Sequence, residues 1–480
     1  MCDCRGEEQR IALSENGLQE KANRGAGAGW PPAVARLIRL ALLTMAATVP
    51  FAIEPIYSRP SVSQSYYVEW TGLTVGILVF AMILVLRLPL GRPTALFWCY
   101  LVYLAVIFVS IVARPVPGYG FANAILPLTG AVVLLLLELM PINRHGQESL
   151  FLMLVGVGFM SAAYGILQNF GVELFPSVVE SERQVLSSFF GHSNFMASFL
   201  APILFLAAYF AEPSRDSRLR LMVGVAIGTT LVCLYWAGTR AATLAILVGA
   251  VGLVRWRWPR VTIDRRRLAT FTAVILVLGM AAMLWGQYGG RHRETLLRRL
   301  SSHREMSNRA FLWLIAIEMI REKPILGIGY GRYNAEFWPY CERYVQRPGN
   351  EMFSHALRQM RGSNPGQAHN DLLEVACETG VFGTAAYIAL WVVAFVFCRR
   401  CARVGRPSDQ RLARYLRAAF LCVFVDSLFG FPLQLPASAV LFWILLGTAA
   451  QTYRRVIGQW ASAPANDIPV SNRIAAESGG

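Results

Sequence analysis

The sequence predicts an all-α fold: a polytopic transmembrane helix bundle of about 12 spans, with one large, partly helical loop on the outer side. Three observations predict it. The 480 residues are 55% hydrophobic, with a mean hydropathy of +0.44. Only 15% are charged, against about 25% in soluble domains. Apolar runs of roughly 20 residues, the length a helix needs to cross a bilayer, recur from end to end. A β-barrel would instead show short alternating segments.

Residues 1–32 are polar and Gly-rich and lack the apolar core of a signal peptide, so they read as a disordered cytoplasmic tail. Spans are then expected at 33–53, 70–88, 94–113, 121–141, 149–169, 192–211, 219–237, 239–255, 268–287, 380–398, 413–430 and 437–453. Only a tight turn in "YWAGTRAATLA" separates the seventh from the eighth. The first five fill an N-terminal membrane region, 33–190. A second region, 191–453, contains the outer loop 288–372, and residues 454–480 form a cytoplasmic C-terminal tail.

Orientation follows from arginine in the short loops. With the N-terminus inside, the inner loops receive Arg87, Arg92, Arg144, Arg215, Arg218, Arg220, a group from Arg255 to Arg267, a group from Arg399 to Arg411, and Arg454 with Arg455. The short outer loops hold one each: Arg59, Arg114, Arg183 and Arg240. Both termini are expected inside. The net charge of +16 is therefore read as topology, and no nucleic-acid partner is expected. The nine cysteines are scattered. The Cys398 and Cys401 pair has CxxC spacing but no second pair to complete a zinc site.

Loop 288–372 carries 13 Lys and Arg and is long enough to escape the charge rule. A loop of that length is usually functional. "SNRAFLWLIAIEMIREKP" reads as a helix with Ser307 as N-cap and Pro324 as stop. "ILGIGYGRY" is a Gly-rich turn that lets backbone approach something closely. "FWPYCERY" suits the lipid–water interface or sugar rings. The basic run Arg291, Arg293, Arg298, Arg299 and Arg304 suits anionic headgroups, and membrane lipids are expected partners.

Candidate chemistry collects on the outer face. His369 stands just before the tenth span, with an imidazole able to accept a proton at neutral pH. Asn370 follows, and Glu374 and Glu378 lie one and two turns on. A helix starting there would disfavour the protonated ring; the simpler reading is an interfacial anchor. Arg240 is an isolated charge at the outer mouth between spans seven and eight, either snorkelling or paired. Arg309 is placed on the loop helix, facing outward from its apolar stripe. His192 and Asn194, in "GHSNFMASFLA", either face the same vestibule or cap a helix. Asp426 is a carboxylate inside the eleventh span, functional or paired with a neighbouring Arg or Ser. Glu138 reads as structural or snorkelling. A base with two Arg suits the attack of a hydroxyl on a sugar carrying a lipid diphosphate. No DxD pair suggests a metal, so Arg takes its place; no cofactor is expected.

"HNDLLEVACETGVFG" resembles the signature of the O-antigen ligase and O-antigen polymerase superfamily: His, then Asn, Ser or Gln, nine residues, Gly, two residues, Gly. Here those are His369, Asn370, Gly380 and Gly383. "GTRAATLAILVG" and "SNRAFLWLIAIEMIREKPILGIGYGRY" are similar to the family segments that carry its outer-face arginines, here Arg240 and Arg309. "GHSNFMASFLA" and "FGFPLQLPASAVLFWILLG" are similar to further family segments, so the resemblance covers roughly residues 185–450.

The resemblance implies a metal-independent, inverting glycosyltransferase of the bacterial inner membrane. Its donor would be a glycan on undecaprenyl diphosphate, used on the periplasmic face. His369 would activate the acceptor, and Arg240 and Arg309 would hold the diphosphate. The acceptor stays open: lipid A–core for a ligase in lipopolysaccharide biosynthesis, another lipid-linked glycan for an exopolysaccharide polymerase, or protein Ser or Thr for an oligosaccharyltransferase. A transporter of lipid-linked glycan, from a different class, would place charged residues along a central cavity, whereas here the polar chemistry gathers at one face.

Overall fold

The computed structural model describes residues 31–52, 60–87, 93–114, 117–139, 144–174, 186–212, 215–257, 303–348 and 366–461. The N-terminal tail, the ninth expected span at 268–287 and the side chains of the basic run before Arg309 lie outside the described residues.

The described chain is helical, without strands. In order come α1 (Pro32–Thr48), α2 (Pro60–Leu86), α3 (Ala95–Val112), α4 (Pro117–Leu139), α5 (Arg144–Asn169), α6 (Ser193–Phe210), α7 (Ser217–Ala237) and α8 (Arg240–Arg257). Then follow α9 (His303–Glu322), α10 (Tyr333–Val345), α11 (Asp371–Val404), α12 (Pro407–Ser427) and α13 (Pro436–Ala461). A helix lies over each expected span outside 268–287. Seven of the described helices are long and apolar enough to cross a membrane: those within α2, α3, α4, α5, α6, α7 and α11. The turn between α7 and α8 is closed by Gly238 in the left-handed conformation, φ 63°, which leaves room for only one further residue before α8 begins. The last helix runs on to Ala461, past the expected end of its span.

The bundle core is built from α12 packed against α8, α11 and α6, α11 against α3, and α13 against α4. The end of the bundle where α12 begins is fastened by buried carboxylates that meet many of the arginines counted as topological. Glu148 accepts from Arg215 at 2.5 Å and Tyr209 at 2.7 Å. Asp409 pairs with Arg455 at 2.9 Å, and Glu212 with Arg411 at 3.3 Å. Glu138, 1% exposed, accepts from the Thr94 backbone N–H at 2.6 Å and from its hydroxyl at 2.7 Å, with Arg454 alongside. Glu138 is therefore structural. A carboxylate buried that deeply persists only when such donors replace its water.

Helices α9 and α10 form a separate lobe with its own core. Phe311, Leu312 and Ile315 meet Tyr333, Phe337, Tyr340 and Cys341. The aromatic stretch expected at a lipid surface or sugar site is instead mostly this core, with Phe337 fully buried and Tyr340 4% exposed. Its periodicity explains why: Tyr333, Phe337, Tyr340 and Cys341 fall on one helical face. Ala368 and Cys377 belong to the same cluster, so the lobe sits on the start of α11.

Candidate functional site

The start of α11 is a short helix in its own right. Asn370 caps it by accepting from the Leu373 backbone N–H at 3.0 Å. Gly380 breaks it, at φ 65° and ψ −161°. Such a break orphans backbone groups that a continuous helix would pair. The Gly-rich turn of the lobe takes them up. Ile328 N–H donates to Cys377 O at 2.8 Å, Gly329 N–H to Glu378 O at 3.0 Å, and Val381 N–H to Pro324 O at 2.8 Å. The thing that the glycine turn approaches closely is thus the kink itself, and Arg114 adds a bond to the Gly327 carbonyl. Gly383 leaves room for the Thr379 side chain, whose hydroxyl donates to Val375 O at 2.6 Å.

His369 lies immediately before this short helix, half-buried. Its φ of 53° is a left-handed conformation that costs an ordinary residue roughly 1–2 kcal/mol. The edge of Phe431, from the turn between α12 and α13, meets its ring with centroids 5.0 Å apart. Phe431 also meets Phe195 at 5.4 Å, and Phe195 meets His192 at 5.1 Å. Burial, the Arg309 guanidinium and then His192 push the His369 imidazole down to about 4. It is neutral at pH 7 and free to accept a proton.

Arg309 lies off the apolar stripe by which α9 packs into the lobe core, and the face that carries it meets the bundle. Its Nη1 donates to the Phe429 carbonyl at 2.9 Å, two residues from the ring that touches His369. The periodicity of α9 gave the face but not its partner, a carbonyl beyond the α12 end and 120 residues away. Arg309 also acts electrostatically on Asp426, which is 4% exposed and within hydrogen-bonding reach of Ser198. Asp426 thus has Ser198 as its hydrogen-bonding neighbour and lies in the field of Arg309.

His192 is the N-cap of α6, its Nδ1 accepting from the Asn194 backbone N–H at 3.1 Å. Asn194 sits in that helix's first turn, half-buried. Arg240 heads α8, half-buried; α8 packs against α6 and α12, the helices that carry Asn194 and Asp426. The structure thus gathers His369, Arg309, His192 and Asp426 around the turn from Phe429 to Phe431, with Arg240 on an adjoining helix.

Behind His369, the short helix turns three carboxyl groups inward. Asp371, Glu374 and Glu378 line a cavity of about 50 Å3, with Tyr100, Tyr103 and Tyr387 opposite. Each carboxylate has backbone to hold. Asp371 accepts from Leu433 N–H at 3.4 Å, Glu374 from Ala368 N–H at 2.7 Å, and Glu378 from Tyr333 N–H at 2.9 Å. The i, i+3, i+7 spacing of these acids was the signal for one shared face. Asp371 and Phe431 had not been singled out from the sequence.

Residues 225–388 match the family model described as O-antigen ligase. The match takes in Arg240, Arg309, His369 and both signature glycines. No curated protein matches the chain. Among solved structures, a chain from "Structural coordination of polymerization and crosslinking by a peptidoglycan synthase complex" aligns over 75% of this chain and 97% of its own, at 15% identity and a TM-score of 0.41.

Proposed function

The chain carries an O-antigen ligase domain over residues 225–388, and on that premise we propose that it is an inner-membrane glycosyltransferase moving a glycan from undecaprenyl diphosphate to an acceptor hydroxyl on the periplasmic face. The favoured acceptor is lipid A–core. The topology that goes with it has 12 spans, both termini in the cytoplasm, and the 288–372 segment outside.

The observation that carries the reading is the convergence of half-buried His369 and Arg309 on the turn from Phe429 to Phe431. In the proposed reaction the acceptor oxygen attacks the anomeric carbon of the sugar while its proton passes to His369. The bond from that carbon to the diphosphate oxygen breaks, and configuration inverts. Arg309 and Arg240 neutralise the charge that collects on the departing diphosphate, the task that planar guanidinium forks perform best. Asn370 caps the short helix that presents His369, while Asp426 and Asn194 support the surrounding wall.

The electrostatics make donor and base cooperate. Arg309 helps to hold His369 at about 4 in the free protein, which makes it a weak base at pH 7. A diphosphate seated on Arg309 cancels that positive field. Burial still holds the imidazole down, but it rises above about 4 by the part that Arg309 supplied and becomes the stronger base when the donor is bound.

The test is to supply purified protein with a polyprenyl-diphosphate glycan and identify what receives the sugar. Transfer to lipid A–core supports the ligase reading. Long glycan products without it assign a polymerase, a glycosylated protein assigns an oligosaccharyltransferase, and absence of any transfer overturns the proposal.

A further inference from the structure

One buried side chain joins the two loops that meet at the histidine. Glu374 Oε2 accepts from the Ala368 backbone N–H at 2.7 Å, and its Oε1 accepts from Gln434 Nε2 at 2.7 Å. Ala368 immediately precedes His369, and Gln434 lies three residues beyond Phe431, whose ring edges onto His369. Glu374 is 3% exposed. The carboxylate therefore closes a ring of contacts: His369 to Phe431, Phe431 along the turn to Gln434, Gln434 to Glu374, and Glu374 back to the peptide before His369.

We propose that Glu374, working with Gln434, is a positioning residue that holds His369 in its left-handed conformation against Phe431. The conformation needs such a hold. A non-glycine residue at φ 53° persists only where its surroundings over-determine it. Asn370 braces the peptide on the far side of His369 through its cap on Leu373, and Glu374 braces the near side. Both come from the start of the same short helix, which ends at the Gly380 kink. The charged and titratable groups around His369 are Arg309 from α9, His192 from the start of α6, Asp426 from α12, and Asp371 and Glu374 from α11 itself.

The inference rests on the reading of His369 as the base, and its test is built to stand apart from that reading. Diethyl pyrocarbonate modifies only the neutral imidazole, so its rate at His369, followed by mass spectrometry against pH in the full-length protein, reports the titration of that ring without any substrate. In the wild type the rate is expected to stay flat from pH 8 down to about pH 5. In Glu374→Ala the loop loosens, the ring gains water, and the rate falls as pH drops through about 6.5. Transfer by the same variant should lose kcat by about tenfold or more, with KM within about twofold. Glu374→Gln, which keeps an oxygen for the Ala368 N–H, should recover most of both.

Gln434→Ala, at a half-buried position, cuts only the link between the loops and serves if Glu374→Ala fails to fold. It is expected to shift the titration in the same direction by a smaller amount. A flat profile in Gln434→Ala, or in a folded Glu374→Ala, overturns the brace. Retained transfer in His369→Ala overturns the assignment of the base and leaves the titration result as the judge of the brace.

Discussion

Gly380 presses its bare Cα against the carbonyl of Ile325, so that a Cβ at this position would overlap that oxygen and the Gly327 nitrogen as well. The residue is left-handed, φ 65°, and it creates the kink into which the lobe's glycine turn is hydrogen-bonded. Gly380→Ala should therefore destabilise the protein by about 3 kcal/mol, combining left-handed strain with overpacking. Transfer should fall with it, because the same kink frees the short helix that carries the His369 loop. Thermal unfolding in detergent checks the first part. Gly156→Ala, where a Cβ meets nothing within 4 Å, is the control and should leave the midpoint unchanged or slightly higher.

His369→Gly separates strain from chemistry. Glycine adopts φ 53° without the penalty that histidine carries, roughly 1 kcal/mol. The variant is expected to match or exceed the wild-type melting midpoint, offset only by the lost ring contact with Phe431, while its transfer activity disappears. His369→Ala loses activity too but keeps the strain. A His369→Gly protein that transfers at the wild-type rate would remove His369 from the reaction.

The helices and the His369 signature were legible in the sequence because both are local. Apolar runs report bilayer crossings, and the signature spans only residues 369–383. The glycine turn at 325–333 was legible as a close approach, but its target was not, since the partner backbone lies about fifty residues downstream, at Cys377 to Val381. Arg309 was found as a residue, and what its face of α9 meets was missed for the same reason. The aromatics of α10 were misjudged for another. Phe337 and Tyr340 look like a surface belt when the loop is imagined lying on the membrane, and become core once α9 folds back on α10. Phe431 matters through its neighbours across the bundle, and nothing in its own segment marks it; Asp371 was marked only by its spacing from Glu374 and Glu378.

Glu138→Ala tests whether the end of the bundle where α12 begins is purely structural. It removes the acceptor for the Thr94 N–H and hydroxyl and the carboxylate partner of Arg454, while the half-buried guanidinium keeps the backbone carbonyl of residue 138. A loss of about 2 kcal/mol is expected from the unmet Thr94 donors, with a lowered melting midpoint and reduced yield. The molecules that do fold should transfer with wild-type KM, because Glu138 belongs to the ion pairs at the end of the bundle where α12 begins and not to the His369 cluster. A specific change in KM would show that this end communicates with the site.

The pH dependence of transfer should split in two. The profile of kcat/KM reports the free protein and that of kcat the donor complex. His369 is held at about 4 in the free protein, so kcat/KM should persist as pH falls and be lost only near pH 4, where the imidazole takes a proton before the acceptor can supply one. With the diphosphate cancelling Arg309, the acid limb of kcat should lie at higher pH by the part that Arg309 supplied. Arg309→Gln removes the positive charge permanently. Its kcat/KM limb should move up as well, the two limbs should converge, and KM for the donor should rise by about tenfold or more as the phosphate contact is lost. Limbs that coincide in the wild type and do not move in Arg309→Gln would mean that Arg309 and His369 do not share the reacting pocket.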